Sequence, residues 1–267
     1  MNNFDFQTYN EDFKKNGVVF LENFINNHHL DLVNEAIEFC KKNPSPFSTQ
    51  NVSIKSSFFY DYWTYKKNKS IQKLLGDKDL IDKIKKIAGT KQLNFFHDHV
   101  LIKNEGAKIT PWHHDRPYYF VDGPNNFSIW ITPDNVDEDN SLAFCSGSHR
   151  SKNLYVPVSF EDKSGLDDNE ELKQLDENSL RKESLNGILI FNMRPGDAIM
   201  FHNKTLHRSL QSSQNKKRRA LSLRMLGDNC KLTRFCTKNP QPPFDKFGMK
   251  ITEGASIDEK WFPTLPF

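Results

Sequence analysis

The stretch Arg218-Arg219-Ala220-Leu221-Ser222-Leu223-Arg224-Met225 changes character at every residue. Side chains of an extended strand point alternately to opposite faces. One face therefore reads Arg219, Leu221, Leu223, Met225 and the other Arg218, Ala220, Ser222, Arg224. The first, apart from Arg219 at its end, predicts a surface packed under helices; the second, small and polar, predicts the lining of a cavity. The same parity gives Arg218 to the cavity, where a guanidinium can grip a carboxylate through two parallel hydrogen bonds.

The surrounding chain fits such a strand into a larger pattern. Upstream, the periodicity predicts helices over 11–16, 30–42 and 79–88, with a strand at 18–21; Val33, Ala36, Ile37 and Cys40 form the apolar stripe of the second helix, and Gly89 stops the third. Strands are predicted over 95–103, 127–132, 141–145, 188–191, 198–202 and 218–226, punctuated by Gly, Pro and Asn. Helices first and many short strands afterwards predict a mainly β protein with flanking helices, a barrel on a helical buttress. A chain of 267 residues can bury a sizeable core and reads as one domain. Residues 1–92 form a largely helical part, 93–230 the barrel core and 231–267 a C-terminal tail. An acidic insertion over 151–186, with 170–175 helical, is long enough to act as a lid over substrate. No internal repeat is visible.

Within Pro111-Trp112-His113-His114-Asp115, strand alternation turns His113 and Asp115 to one side and His114 to the other. A third ligand, His207 in Thr205-Leu206-His207-Arg208-Ser209, can come from a neighbouring strand. Two imidazoles and a carboxylate suit Fe(II) and leave the opposite coordination positions open. The same ligands also fit a zinc hydrolase or a non-catalytic metal- or carboxylate-binding barrel, although the presence of Arg218 beside them argues against a mere binding module. His28, His29 and His149 read as surface or hydrogen-bonded residues; His97, His99 and His202 lie near the cavity without a motif role.

These residues resemble the phytanoyl-CoA dioxygenase family of Fe(II)/2-oxoglutarate-dependent dioxygenases. The resemblance rests on Trp112-His113-His114-Asp115-Arg116-Pro117-Tyr118-Tyr119, Trp130, Ser146-Gly147-Ser148-His149, Gly196-Asp197, and His207-x-Ser209 leading to Asn215 and Arg218-Arg219-Ala220, with Gly17-Val18-Val19-Phe20-Leu21 similar to the family's start. His114 stands where relatives often have Gln, and the segment before Gly147 lacks the usual Pro. The resemblance implies a double-stranded β-helix, a cupin-like jelly roll open at one end. It also implies Fe(II) at His113, Asp115 and His207, and O2 and 2-oxoglutarate as co-substrates, the latter near Arg218, Ser209 and Trp130. The implied reaction is decarboxylation of 2-oxoglutarate to succinate and CO2 with hydroxylation of a substrate C–H, since halogenating relatives lack the carboxylate that Asp115 supplies.

For the substrate, Tyr118, Tyr119, Trp63, Arg224 and Arg234 are the candidate contacts, and Arg116 lies in a segment that reaches the mouth. A small polar molecule is favoured over an acyl-CoA, because no extended basic region answers the nucleotide phosphates. The net charge is only +3 and the one basic cluster, Lys216-Lys217-Arg218-Arg219, lacks interleaved aromatics, which excludes nucleic acid as a partner. With 36% hydrophobic residues, no membrane-length apolar run and no export signal, a cytoplasmic enzyme is expected. Cys40, Cys145, Cys230 and Cys236 have no C-x-x-C spacing and read as free thiols.

Overall fold

The computed structural model describes residues 4–49, 58–104, 107, 109–157, 172–210, 216–234 and 241–267. Helix α1 (Phe6–Asn16) starts where the Asp5 carboxylate accepts the Thr8 N–H, and it stops at Gly17, whose φ of 73° is left-handed. A Cβ at Gly17 would lie 2.3 Å from His149 Nδ1, so this turn needs glycine for space as well as conformation. Then follow β1 (Val18–Leu21), α2 (Asn27–Lys42), β2 (Phe58–Tyr62), α3 (Lys69–Gly76), α4 (Lys78–Ala88) and β3 (Leu93–Lys103). The second half contains β4 (Thr110–His113), β5 (Val121–Asp122), β6 (Asn126–Ile131), β7 (Leu142–Cys145), α5 (Glu177–Glu183), β8 (Ile188–Ile190), β9 (Ala198–His202), β10 (His207–Ser209), β11 (Arg218–Gly227) and β12 (Lys231–Leu232).

Two antiparallel sheets carry the fold. The larger runs β1-β9-β6-β11-β3-β2 and the smaller β4-β10-β7-β8. Between them lies a core drawn from both, with Val18, Trp130, Ile199, Phe201 and Ala220 from the larger sheet meeting Leu142 and Phe144 from the smaller. This is a cupin-like jelly roll whose sheets, among the described residues, are not hydrogen-bonded into a closed barrel. Leu221, Leu223 and Met225 turn outward and join Leu32, Val33, Ala36 and Ile37 of α2 and Ile81 and Ile84 of α4 in the main core. The helical buttress thus covers the face that alternation in β11 marked as apolar.

A buried carboxyl ties the edge strand to the helices. Asp98, on β3, accepts from Thr64 N, Thr64 Oγ1 and Tyr65 N at 2.7 to 3.0 Å, fixing the chain as it leaves β2 through Trp63. Burial pushes this carboxyl above its ordinary value despite those donors.

Two helices differ from the sequence expectation. Helix α3 was not anticipated; it is one short segment started by the Asn68 side chain, too brief for its periodicity to stand out. Of the helix expected over 170–175, residues 170 and 171 lie outside the described residues; the rest is not helical, and Lys173 bridges to Tyr155. The nearby helix, α5, begins where Asp176 supplies a capping side chain to Ser179 N. The middle of the expected lid, 158–171, together with Asn215 and Cys236, also lies outside the described residues. Cys40, Cys145 and Cys230 are free thiols. Among the described residues no helix is long and apolar enough to cross a membrane.

Candidate metal centre

Strand β10 lies between β4 and β7, which sets His207 directly opposite His113 with ring centroids 4.3 Å apart. Asp115 arrives differently from the sequence expectation. Strand β4 ends at His113, and Asp115 sits in a helical turn (φ −72°, ψ −25°) that opens the 3-10 segment Arg116–Tyr118. Alternation thus accounts for His113, while the carboxylate is swung inward by the turn after it. His114 does face away, its Nε2 accepting the Tyr155 N–H at 3.0 Å. The ligand atoms of His113, Asp115 and His207 all lie within 4.8 Å of one another, and all three residues are buried.

Hydrogen bonds set the protonation of this cluster. His113 Nδ1 is 2.8 Å from Pro111 O and His207 Nδ1 is 2.9 Å from Thr205 O. A carbonyl only accepts, so each ring carries its proton on Nδ1 and keeps a lone pair at Nε2, the form that binds a metal. Burial, reinforced by the other imidazole, pushes His113 down to about 3, and burial also lowers His207. Burial alone would raise Asp115, but Arg224 and the two imidazoles outweigh it and hold the carboxyl below its ordinary value. The Arg224 guanidinium is 3.4 Å from Asp115 Oδ2 and donates from Nε to the Tyr119 hydroxyl. Its partners are therefore the Tyr119 hydroxyl and the site's own carboxylate.

Arg218 is only 4% exposed. It stacks over Trp130 at 5.3 Å and donates to Asn140 O, yet no carboxylate among the described residues pairs with it. Burial brings its pKa down to about 10, which leaves it charged at neutral pH. Lys103, opposite it on β3, is pushed down to about 7 by burial and by Arg218. A buried cation without a counter-ion is costly, and an anion entering beside it removes that cost. Ser209 lies two residues beyond His207, but its hydroxyl already donates to Thr110 Oγ1 (2.7 Å) and accepts from Thr110 N (3.2 Å).

The substrate candidates separate. Tyr118 and Tyr119 are buried, the Tyr118 ring 6.4 Å from that of His113. Half-buried Trp63 packs on Phe244 at 4.5 Å and Phe247 at 5.0 Å, and Arg234 is exposed. Arg116 does not reach a mouth. Its guanidinium is buried on Asp122 (2.9 Å), Tyr119 O and Thr233 Oγ1, because the turn that delivers Asp115 folds the next side chain back into the protein. In the basic run, Lys216 pairs with Asp137 and Asp139, and Arg219 with Asp134, so these charges are internally answered. The residues without a role in the sequence reading are His97, His99 and Ser222. They share the inner face with Arg224, and the signal that finds them is the register His97↔Arg224 and His99↔Ser222.

Burial of so many imidazoles has a pH consequence. His97, His99, His113, His114, His149, His202 and His207 are all lowered, chiefly by burial, with His149 at about 4 and His202 at about 3. Their folded values lie below the unfolded one, so the unfolded chain binds more protons below about pH 6.5, and stability falls as pH falls from there. Each imidazole held near 3 costs about 2 kcal/mol by pH 5. Asp61 and Asp98, raised by burial, oppose this but are outnumbered. The denaturant midpoint is expected to drop from pH 8 to pH 5, with a smaller drop in His202→Asn, a site outside the triad. An equal midpoint at both pH values would contradict the burial of neutral histidines.

The profile of the phytanoyl-CoA dioxygenase family (PhyH) matches residues 13–220, more than half of the chain. The chain belongs to the phytanoyl-CoA dioxygenase family. No curated protein sequence matches it. Solved structures with a similar fold include the non-haem α-ketoglutarate-dependent carbocyclase SnoK from nogalamycin biosynthesis (TM-score 0.72, 14% identity, covering 98% of this chain and 96% of that one). The α-ketoglutarate-dependent epimerase SnoN from the same biosynthesis gives TM-score 0.71 at 15% identity over 97% and 98% of the two chains. EctD from S. alaskensis, solved with 2-oxoglutarate and 5-hydroxyectoine, gives 0.68 at 17% identity over 96% and 90%. The family is one of Fe(II)/2-oxoglutarate-dependent oxygenases, and the chain is an enzyme of that kind.

Proposed function

We propose that the chain hydroxylates an unactivated C–H of a small polar molecule, with Fe(II) held by His113, Asp115 and His207 and 2-oxoglutarate anchored by Arg218. The observation that carries this reading is the pairing of two Nδ1-protonated imidazoles and a carboxylate with a buried arginine lacking a carboxylate partner among the described residues. The first set suits a divalent metal of intermediate softness, and the second suits the far carboxylate of a dicarboxylate. Fe(II) with 2-oxoglutarate and O2 supplies decarboxylation to succinate and CO2 together with insertion of one oxygen atom into the substrate C–H. The protein's part is to hold the imidazoles as neutral donors, keep Asp115 ionised through Arg224, and enclose the reacting groups in buried surroundings.

A zinc hydrolase would use the same three ligands but gives Arg218 no task, and an acyl-CoA finds no basic surface in a run whose Lys216 and Arg219 are paired with aspartates. Anaerobic titration with Fe(II) and 2-oxoglutarate, followed by absorbance, is expected to develop a weak metal-to-ligand charge-transfer band that His207→Ala lacks. A folded, iron-loaded wild type without the band would overturn the reading.

A further inference from the structure

We infer that the inner wall formed by His97, His99, Ser222 and Arg224 recognises an uncharged, polyhydroxylated small molecule as substrate. This deepens, and rests on, the reading of His113, Asp115 and His207 as the iron site. Strands β3 and β11 set His97 opposite Arg224 and His99 opposite Ser222. On these adjacent positions of one face, His97 Nε2, His99 Nε2, Ser222 Oγ and Arg224 Nη1 are buried without a hydrogen-bond partner. Buried polar atoms are usually hydrogen-bonded; other unpartnered atoms, such as His29 Nδ1 and Arg208 Nε, lie elsewhere in the fold, while these four gather on one wall beside the triad and offer a ligand four hydrogen bonds. The wall borders the triad, because another nitrogen of the same Arg224 guanidinium lies 3.4 Å from Asp115 Oδ2.

The chemistry of three of these atoms narrows the ligand. His97 Nδ1 is 3.1 Å from Asp98 O, which only accepts, so the ring proton is on Nδ1 and Nε2 is an acceptor. Arg224 Nη1 only donates, and Ser222 Oγ does both. A carboxylate or phosphate accepts but leaves His97 Nε2 unanswered. An ammonium donates but leaves Arg224 unanswered, and a zwitterion reaches both groups but finds the Arg224 charge already answered by Asp115. An acyl chain satisfies none of the four. A hydroxyl gives a proton to one and takes one from another. The two imidazole rings are 6.5 Å apart, so more than one such group is needed, and a single amide does not span them. The walls beside them are aromatic: Tyr60 and Tyr62 stand 5.7 and 5.6 Å from His99, and Tyr62 stands 6.2 Å from His97. Ring faces of this kind suit the C–H side of a compact hydroxylated skeleton.

The test uses the full chain loaded anaerobically with Fe(II) and 2-oxoglutarate. Its thermal midpoint is measured with myo-inositol, D-glucose and D-ribose, and with butyrate, choline, malonamide and hexanoyl-CoA as contrasting chemistries. At least one polyol is expected to raise the midpoint with concentration and, on admission of O2, to drive succinate formation, while the contrasting probes do neither. Ser222→Ala removes one hydroxyl and touches neither the triad nor Arg224; it and His97→Phe are each expected to weaken the polyol response about tenfold or more. Stabilisation by an anion, cation, amide or thioester instead, no response to any polyol, or an unchanged polyol affinity in Ser222→Ala overturns the inference. The charge-transfer band, read in the same samples, separates the failures: a band without a polyol response removes only the substrate class, whereas a missing wild-type band removes the iron and 2-oxoglutarate reading with it.

Discussion

Arg218→Met is expected to bind 2-oxoglutarate about 100-fold more weakly than wild type while the ligand-free protein loses no stability. A buried charge-assisted fork to a carboxylate is worth roughly 2–5 kcal/mol when one partner is removed, and 100-fold corresponds to about 2.7 kcal/mol. The stability half of the prediction follows from what surrounds Arg218 in the free protein. It has one hydrogen bond, to Asn140 O, and a stacking contact with Trp130, against the penalty of a cation that no carboxylate among the described residues balances. Replacing such a charge by an apolar chain of similar length is often neutral or stabilising. Arg218→Lys keeps the charge and loses the fork, so it should fall between the two. Calorimetric titration of the iron-loaded protein with 2-oxoglutarate, beside thermal unfolding of the ligand-free forms, gives both readings. A variant that unfolds at lower temperature yet binds 2-oxoglutarate normally would make Arg218 a structural residue.

Much of this arrangement is legible in the sequence because strand parity is a local property. Alternation separates Arg218 from Arg219 and Ala220-Ser222-Arg224 from Leu221-Leu223-Met225, and the structure keeps that division, with the apolar set under α2 and Arg219 on Asp134 at the surface. Parity fails where the backbone leaves the strand. Asp115 comes to the triad through a turn after β4, and Arg116, one residue on, is carried into a buried ion pair with Asp122. Nor does parity reveal partners: that His97 faces Arg224 and His99 faces Ser222 depends on the register between β3 and β11, strands separated in sequence by the whole of the smaller sheet. That register includes a bulge between Arg224 and Met225, which a single sequence does not show. The helix at Lys69–Gly76 escaped for a different reason, being too short for period to outweigh composition.

Asp115→Ala is expected to abolish substrate-dependent succinate formation and also to lower the thermal midpoint, and the second effect has its own cause. In the metal-free protein the Asp115 carboxylate is the anion beside Arg224, a residue only 7% exposed whose guanidinium is otherwise held by the Tyr119 hydroxyl and ring. Removing one member of a buried ion pair leaves the other charge uncompensated, at a cost of roughly 3–5 kcal/mol. Removing both members relieves it. Asp115→Ala combined with Arg224→Met should therefore recover much of the lost midpoint while remaining inactive and failing to develop the charge-transfer band. Arg224→Met alone should keep the three ligands but let the Asp115 carboxyl rise toward protonation, since burial is then opposed only by the imidazoles. Iron affinity in that variant is expected to weaken most at low pH and to approach the wild type as pH rises, because a protonated carboxyl is a poor ligand. A pH-independent loss of iron would instead mean that Arg224 only shapes the cavity, and a double variant as unstable as Asp115→Ala would mean that the pair is not coupled.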